Sequence, residues 1–143
     1  MEVQPYLFFE GRCEEAIEFY RRAVGAEVIM LVRFKDNPEP PPPGTLKPGT
    51  ENNVMHGRLQ IGQTTVLVSD GRCEGSASFK GFALSLTVSD EAAAARLFNG
   101  LLDGGEVRMP LGRTFFSPSF GMVTDRFGVL WMVYVAPKNQ PAS

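Results

Sequence analysis

The 143 residues include only one histidine, two cysteines and one tryptophan. That scarcity excludes several chemistries at once. Cys13 and Cys73 match no zinc spacing, and no further thiol exists to complete a site. They read as two reduced thiols. The formal net charge of -2 leaves no basic footprint for nucleic acid. No apolar run approaches the length of a membrane span. No basic segment followed by an apolar stretch and a small-residue cleavage site opens the chain, so no export signal is expected and a cytoplasmic address follows. What is present suits burial. With 43% hydrophobic and 21% charged residues, a chain of this length can form one domain around a sizeable core.

Residues 114–135 organise the rest. Two apolar runs, 120–124 and 129–135, flank Asp125-Arg126-Phe127-Gly128. A glycine at the turn between two β-rich runs predicts a hairpin. The second run carries Trp131 and almost nothing polar, so it is predicted to be a strand covered on both faces. Upstream, residues 4–9 are β-rich, and Ala16, Ile17, Phe19, Tyr20, Ala23 and Val24 recur at helical spacing. Gly25 is placed to stop that helix. Residues 27–35 read as a strand apolar on both faces. Residues 36–53 hold six prolines and two glycines, which no regular strand survives. This segment reads as a surface loop or as a flap over a cleft. Strands are predicted at 54–61, 64–69, 82–88 and 106–109, the last ended by Pro110 or confined to an edge. A helix is predicted at 90–102, with Ser89 or Asp90 as its cap.

The order is βαβββ, a linker, then βαβββ, an internal repeat. Residues from Tyr6 align without a gap on residues from Leu84. Gly25-Ala26-Glu27-Val28 then aligns with Gly104-Gly105-Glu106-Val107, and the stretch from Ile61 with that from Phe127. The expected organisation is one domain, 1–143: a module over 1–70, a linker over 71–80, a module over 81–136 and a polar tail over 137–143. The predicted fold class is α+β, two modules forming a curled, mostly antiparallel sheet around a cavity. Three successive strands after each helix argue against a ferredoxin-like repeat.

Five pieces in this order carry a family resemblance: P-Y-L-F-F-E-G from Pro5, E-E-A-I-E-F-Y from Glu14, M-H-G-R-L-Q-I-G from Met55, L-V-S-D from Leu67, and F-G-M-V-T-D-R-F-G-V-L-W-M-V from Phe120. Together they resemble the vicinal oxygen chelate superfamily of glyoxalases, bleomycin- and fosfomycin-resistance proteins and extradiol dioxygenases. Within it the chain is similar to the PhnB-like branch, whose members carry a demethylubiquinone-methyltransferase label. No strand leading through a Gly-rich turn into a helix supports a nucleotide-like cofactor, and no cofactor is expected. The resemblance implies a homodimer, as does the need to cover the edges of a curled sheet.

In metal-using relatives, four strand positions hold a divalent ion that acts as a Lewis acid. Carried onto this chain, they fall on Pro5, Val66, Ala83 and Met132. None is a competent ligand for such an ion, so no metal site is expected there. Strand alternation adds Leu7, Phe9, Thr64, Val68, Ser85, Thr87, Leu130 and Tyr134 to the cavity face. It sends Tyr6, Phe8, Leu67, Leu84, Leu86, Val88, Trp131 and Val133 towards the helices. His56 is the candidate acid or base, because its reference pKa suits proton transfer. Phe9, Arg58, Ser85, Thr87, Arg113, Met132 and Tyr134 are the candidate ligand-binding residues. Asp70 and Asp125 read as turn residues. The expected function is binding of a small organic molecule in a metal-free cavity, with no nucleic-acid or membrane partner. The alternative is a superfamily enzyme acting on a small metabolite or antibiotic through His56.

Overall fold

The protein is described by a computed structural model that covers residues 1–39, 41–73 and 75–138. Pro40 of the proline-rich loop, Glu74 of the linker and positions 139–143 of the polar tail lie outside the described residues. The chain divides into two units, Met1–Ala77 and Ser78–Ser143. The first contains β1 (Tyr6–Phe8), α1 (Cys13–Val24), β2 (Glu27–Arg33), a 3-10 turn (Phe34–Asp36), β3 (Val54–Ile61) and β4 (Thr64–Ser69). The second contains β5 (Leu84–Val88), α2 (Glu91–Leu102), β6 (Glu106–Gly112), β7 (Phe120–Thr124) and β8 (Leu130–Val135). Each unit thus has the βαβββ order that the sequence pattern predicts, and the class is α+β. The strands form two separate four-stranded sheets, ordered β1-β4-β3-β2 and β5-β8-β7-β6. In both, the first strand runs parallel to the last and the other pairings are antiparallel. Neither sheet closes.

Strand β6 continues to Gly112, through Pro110. Proline is tolerated because β6 is an edge strand, where a missing N–H need not break the ladder. The proline-rich loop is tied at its base. The Phe34 amide donates to Asn53 O at 3.1 Å and the Lys35 amide to Glu51 O at 2.9 Å.

Each sheet buries one face against its helix. On α1, Cys13, Ala16, Ile17, Phe19 and Tyr20 are buried; on α2, Ala94, Phe98 and Leu101 are. Spacings of three and four residues put each set on one stripe. Gly25 ends α1 at φ 70°, a left-handed conformation that glycine adopts without steric cost. Asp90 caps α2, accepting from the Ala93 amide at 2.7 Å. After α2 the chain passes tightly over β7. A Cβ on Gly105 would stand 2.1 Å from Thr124 O, so only glycine fits.

Two buried aspartates hold the units together internally. Asp70 is 2% exposed and Asp125 3%. Asp70 Oδ1 accepts from the Gly11 and Cys13 amides at 2.9 and 2.8 Å, and Oδ2 from the Val54 amide at 2.8 Å. It therefore caps α1 from across the module, in place of Arg12, which makes no side-chain cap. Asp125 Oδ1 accepts from the Phe127 and Val129 amides, at 2.9 and 3.1 Å, while Oδ2 takes the Trp131 indole N–H at 2.9 Å. Asp125 is the turn residue the sequence suggests; Asp70 reaches much further. Burial beside the Asp70 charge also pushes the Cys13 thiol far above its ordinary range.

The face assignment needs correction in the first unit. Leu7, Phe9, Val66 and Val68 are buried at 2, 1, 5 and 0% exposure, with the Phe9 ring 6.2 Å from that of Tyr20 on α1. They pack on the helix side. Tyr6 and Phe8, 39 and 47% exposed, face away from it, and Leu67 pairs with Tyr6 on that side. In the second unit Trp131 and Val133 lie on the helix side as predicted, at 2 and 0% exposure. The reason is a one-residue phase error in the gapless repeat alignment. The β3–β4 turn spans two residues, between paired Ile61 and Thr64, whereas the β7–β8 turn spans 125–129, between paired Thr124 and Leu130. A slip of one residue exchanges the two faces of a strand.

The repeat is faithful elsewhere. Pairing in β2 jumps between Val28 and Met30, and in β6 between Val107 and Met109. Both modules therefore carry a β-bulge at the positions the alignment equates, with Ile29 as the extra residue in one and Arg108 in the other.

Replacing Asp125 with Ala leaves two amides and an indole N–H without their acceptor. We expect a stability loss of about 3 kcal/mol in urea unfolding, since orphaned buried donors cost roughly 1–3 kcal/mol each and water re-solvates part of the site. Asp70→Ala should cost a similar amount. A loss below about 1 kcal/mol for either would show that solvent or a neighbour replaces the carboxylate.

Candidate functional site

The second unit contains a cleft of about 630 Å³ on the sheet face turned away from α2. Register builds it. Ser85 pairs with Met132, Met132 with Met122, and Met122 with Met109 across four adjacent strands; Leu130 pairs with Thr124. These side chains share the face opposite buried Trp131 and Val123. Phe79 and Phe82, packed edge to face with ring centroids 6.5 Å apart, form another wall. Lys80, Ala83, Arg108 and Thr124 complete the lining with Met122, Leu130 and Met132. The walls are aromatic and thioether side chains, and the charged lining residues are both cations. A second hollow, about 820 Å³, lies beside the proline-rich loop between Thr45, Lys47, Arg72 and Cys73. Loop segments form it, with no sheet side chains to define its shape.

The candidate residues separate into groups. Met132 lines the cleft, and Ser85 is its neighbour on β5. Thr87 pairs with Tyr134 one step further along, and the Tyr134 ring stacks on Phe116 at 6.1 Å with an 18° tilt. Phe116 in turn meets Phe120 edge to face at 5.1 Å. Arg113 is exposed in the β6–β7 connection and is not part of the cleft lining. Phe9 belongs to the core of the first unit, for the phase reason given above.

His56 and Arg58 lie in the first unit, on the face of β3 away from α1, alternating with buried Gly57 and Leu59. His56 has a partner that the sequence did not reveal. Its Nδ1 is 2.8 Å from the Tyr6 hydroxyl, and the two rings are 5.6 Å apart. Burial raises the Tyr6 pKa above its ordinary value, so the phenol stays protonated at neutral pH. The direction of its bond to Nδ1 depends on the imidazole tautomer. Tyr6 also stacks on Phe8 at 4.8 Å and 9°, giving an exposed flat aromatic pair beside the histidine.

Sequence reasoning missed Tyr6 because of the inverted face. It missed Phe79 and Lys80 because they fall in the assumed linker, although two phenylalanines within four residues were a signal of burial. It missed Arg108 because no face was assigned to the strand at 106–109, whose partner strand only the structure shows.

The phase correction also moves the two first-unit positions that hold metal in relatives, from Pro5 and Val66 to Tyr6 and Leu67, while in the second unit Met132 keeps its place opposite Ser85. The outward pairs are Tyr6 with Leu67 in the first sheet and Ser85 with Met132 in the second. A protonated phenol, an alkyl chain, a hydroxyl and a thioether do not fit a divalent hard ion. Among the described residues no group of three His, Cys, Asp or Glu side chains converges. Nor is any helix among them long and apolar enough to cross a membrane.

Comparison with known proteins agrees with this architecture. Residues 1–134 match the family described as 3-demethylubiquinone-9 3-methyltransferase. The protein YjdN of Escherichia coli K12 is 36% identical over 148 residues, covering 99% of each chain. The crystal structure of PA1353 from Pseudomonas aeruginosa superposes with a TM-score of 0.81 at 41% identity, over 95% of this chain and 98% of that one. A PhnB protein from Bacillus cereus gives 0.78 at 27%, over 95% and 100%. The fosfomycin resistance protein FosX from Mesorhizobium loti shares the fold, at 0.62 and 12% identity over 96% and 93%. The chain belongs to the PhnB-like family that bears the 3-demethylubiquinone-9 3-methyltransferase description.

Proposed function

We propose that this protein binds a small organic molecule, without a metal, in the cleft of its second unit. The observation that carries the reading is the cleft itself: about 630 Å³, of ligand size, walled by Phe79, Phe82, Met122, Leu130 and Met132. Methionine and phenylalanine adapt to flat apolar ligands, and sulfur–aromatic contacts add to the burial. A thermal-shift screen against metabolites and aromatic antibiotics tests it. A ligand at a hundred times its dissociation constant should add about 2.7 kcal/mol and be recovered unchanged. Ala83→Trp, which fills the cleft, should abolish the shift. A shift that survives this substitution would place the ligand elsewhere and refute the reading.

The methyltransferase description does not fit the residues. An adenosyl methyl donor needs backbone groups at a strand-to-helix turn. Here Asp70 takes the Gly11 and Cys13 amides before α1, and Asp90 takes the Ala93 amide at the start of α2. No methyl transfer is derived from this site.

The Tyr6–His56 hydrogen bond favours a second reading, an enzyme in which His56 moves a proton. The phenol engages Nδ1, so Nε2 is the edge of the ring left for a substrate. If one of the screened compounds is turned over, His56→Ala should abolish turnover. Tyr6→Phe should lower kcat roughly tenfold and alter the pH profile, as loss of an orienting hydrogen bond does. Turnover unaffected by both substitutions would remove His56 from the chemistry.

The reading includes a homodimer. Edge strands β2 and β6 expose Val28, Ile29, Met30 and Leu31, and Val107 and Met109. Pairing with a second copy is the commonest way to cover such edges. Light scattering at micromolar concentration should give twice the chain mass, and Ile29→Lys should shift it towards the monomer.

A further inference from the structure

We infer that the cleft of the second unit selects an aromatic monocarboxylate, and that Arg108 reads the carboxylate. The inference deepens the binding reading above and rests on it. Its starting point is the bulge shared by the two modules. Val107 pairs with Val123 and Met109 with Met122, so Arg108 is an extra residue between two consecutive pairs. A bulge re-aims a side chain out of strict alternation. Here alternation from Glu106, which pairs with Thr124, puts Arg108 on the cleft side, the bulge brings Met109 to the same side, and Arg108 lines the cavity with Met122 and Met132. The first module has the same bulge with Ile29 at the matching place. The bulge is therefore a property of the repeat, and the cation at it is specific to the cleft.

The guanidinium is held in one orientation. Its Nε donates to Thr124 Oγ1 at 2.9 Å, and Thr124 is itself in the lining. That bond fixes the plane of the group and leaves the Nη edge for a ligand. A planar fork of N–H donors matches a carboxylate in two parallel hydrogen bonds. One acid stands near: Glu106 Oε2 is 3.9 Å from Arg108 Nη2, beyond direct hydrogen bonding and largely in solvent. Lys80 adds a second positive charge to the lining, which contains no Asp or Glu among the described residues. The cleft thus has a positive end on otherwise apolar walls. The edge-to-face pair Phe79–Phe82 and the two methionines suit an aromatic ring. One fork and one set of ring-sized walls specify one carboxylate on one aromatic body.

Isothermal titration with 1-naphthoate and its neutral isostere 1-naphthamide tests this on the full chain. The acid should bind about fivefold more tightly than the amide, the upper worth of a charge-assisted pair at a half-exposed guanidinium. Arg108→Ala should bring the two affinities together by weakening the acid alone, and Arg108→Lys should retain part of the preference. Glu106→Gln removes the competing charge and should strengthen the acid without changing the amide. Both side chains are more than half exposed, so these variants should keep the wild-type circular dichroism. Equal affinities in the wild type, or a preference that survives Arg108→Ala, would overturn the assignment. Loss of both probes in Ala83→Trp would then still uphold the cleft. Binding that persists in Ala83→Trp would refute the cleft and the assignment together. Binding of neither probe would overturn the ligand class, while the wider screen tests the cleft.

Discussion

The carboxylate of Asp70 accepts three backbone N–H bonds from partners 59, 57 and 16 residues away in sequence. It joins the β1–α1 turn, the first turn of α1 and the start of β3 in one dry position. In the second unit Asp125 accepts three donors within its own turn and strand, the third from Trp131. A buried charge is tolerable only when its lone pairs are fully used, and buried amides are tolerable only when they have acceptors. Each group makes the other possible. Because helix, hairpin and strand are anchored to the same carboxylate, the face of the sheet towards the helix is settled. The opposite face is then available for a site.

That opposite face is built differently in the two units. In the first it presents the stacked Tyr6–Phe8 pair, His56 and Arg58. In the second it presents a thioether row with an arginine at a bulge. The backbone plan is repeated and the side chains have diverged. One scaffold can therefore offer a polar, proton-handling surface in one module and an apolar cleft in the other. Family membership describes the scaffold, whereas chemistry resides in the side chains placed on it. The distance between the family description and the residues found here illustrates that separation.

Much of the architecture was legible in residue order. Helical spacing located α1 and α2, β-rich runs bounded by glycine located the strands, and the repeat gave the βαβββ plan twice. Trp131 as core followed from its apolar surroundings. These are local properties, because a period of 3.6 or 2 is written into the chain wherever one face is buried. The candidate site was legible only in part. Met132 was placed on the correct face by counting from its own turn glycine, and Ser85 and Thr87 by counting back from α2. The same count back from α1 misplaced Phe9, because a count across a connection does not fix strand phase.

What the sequence determined by itself is the set of elements, their order and the residue types available for chemistry. At the four positions that the family resemblance marks for a metal, it offers Pro5, Val66, Ala83 and Met132, none of them a ligand for a hard ion. Tertiary structure decided which residues share a surface. Strand pairing sets the phase: Tyr6 pairs with Leu67, which pairs with Arg58, so Tyr6 lies beside His56 while Phe9 is withdrawn into the core. In β6 the pairing of Glu106 with Thr124 puts Arg108 on the cleft side, and the bulge adds Met109 to it. Both depend on pairing between residues distant in sequence, and a shift of one position reverses every side chain.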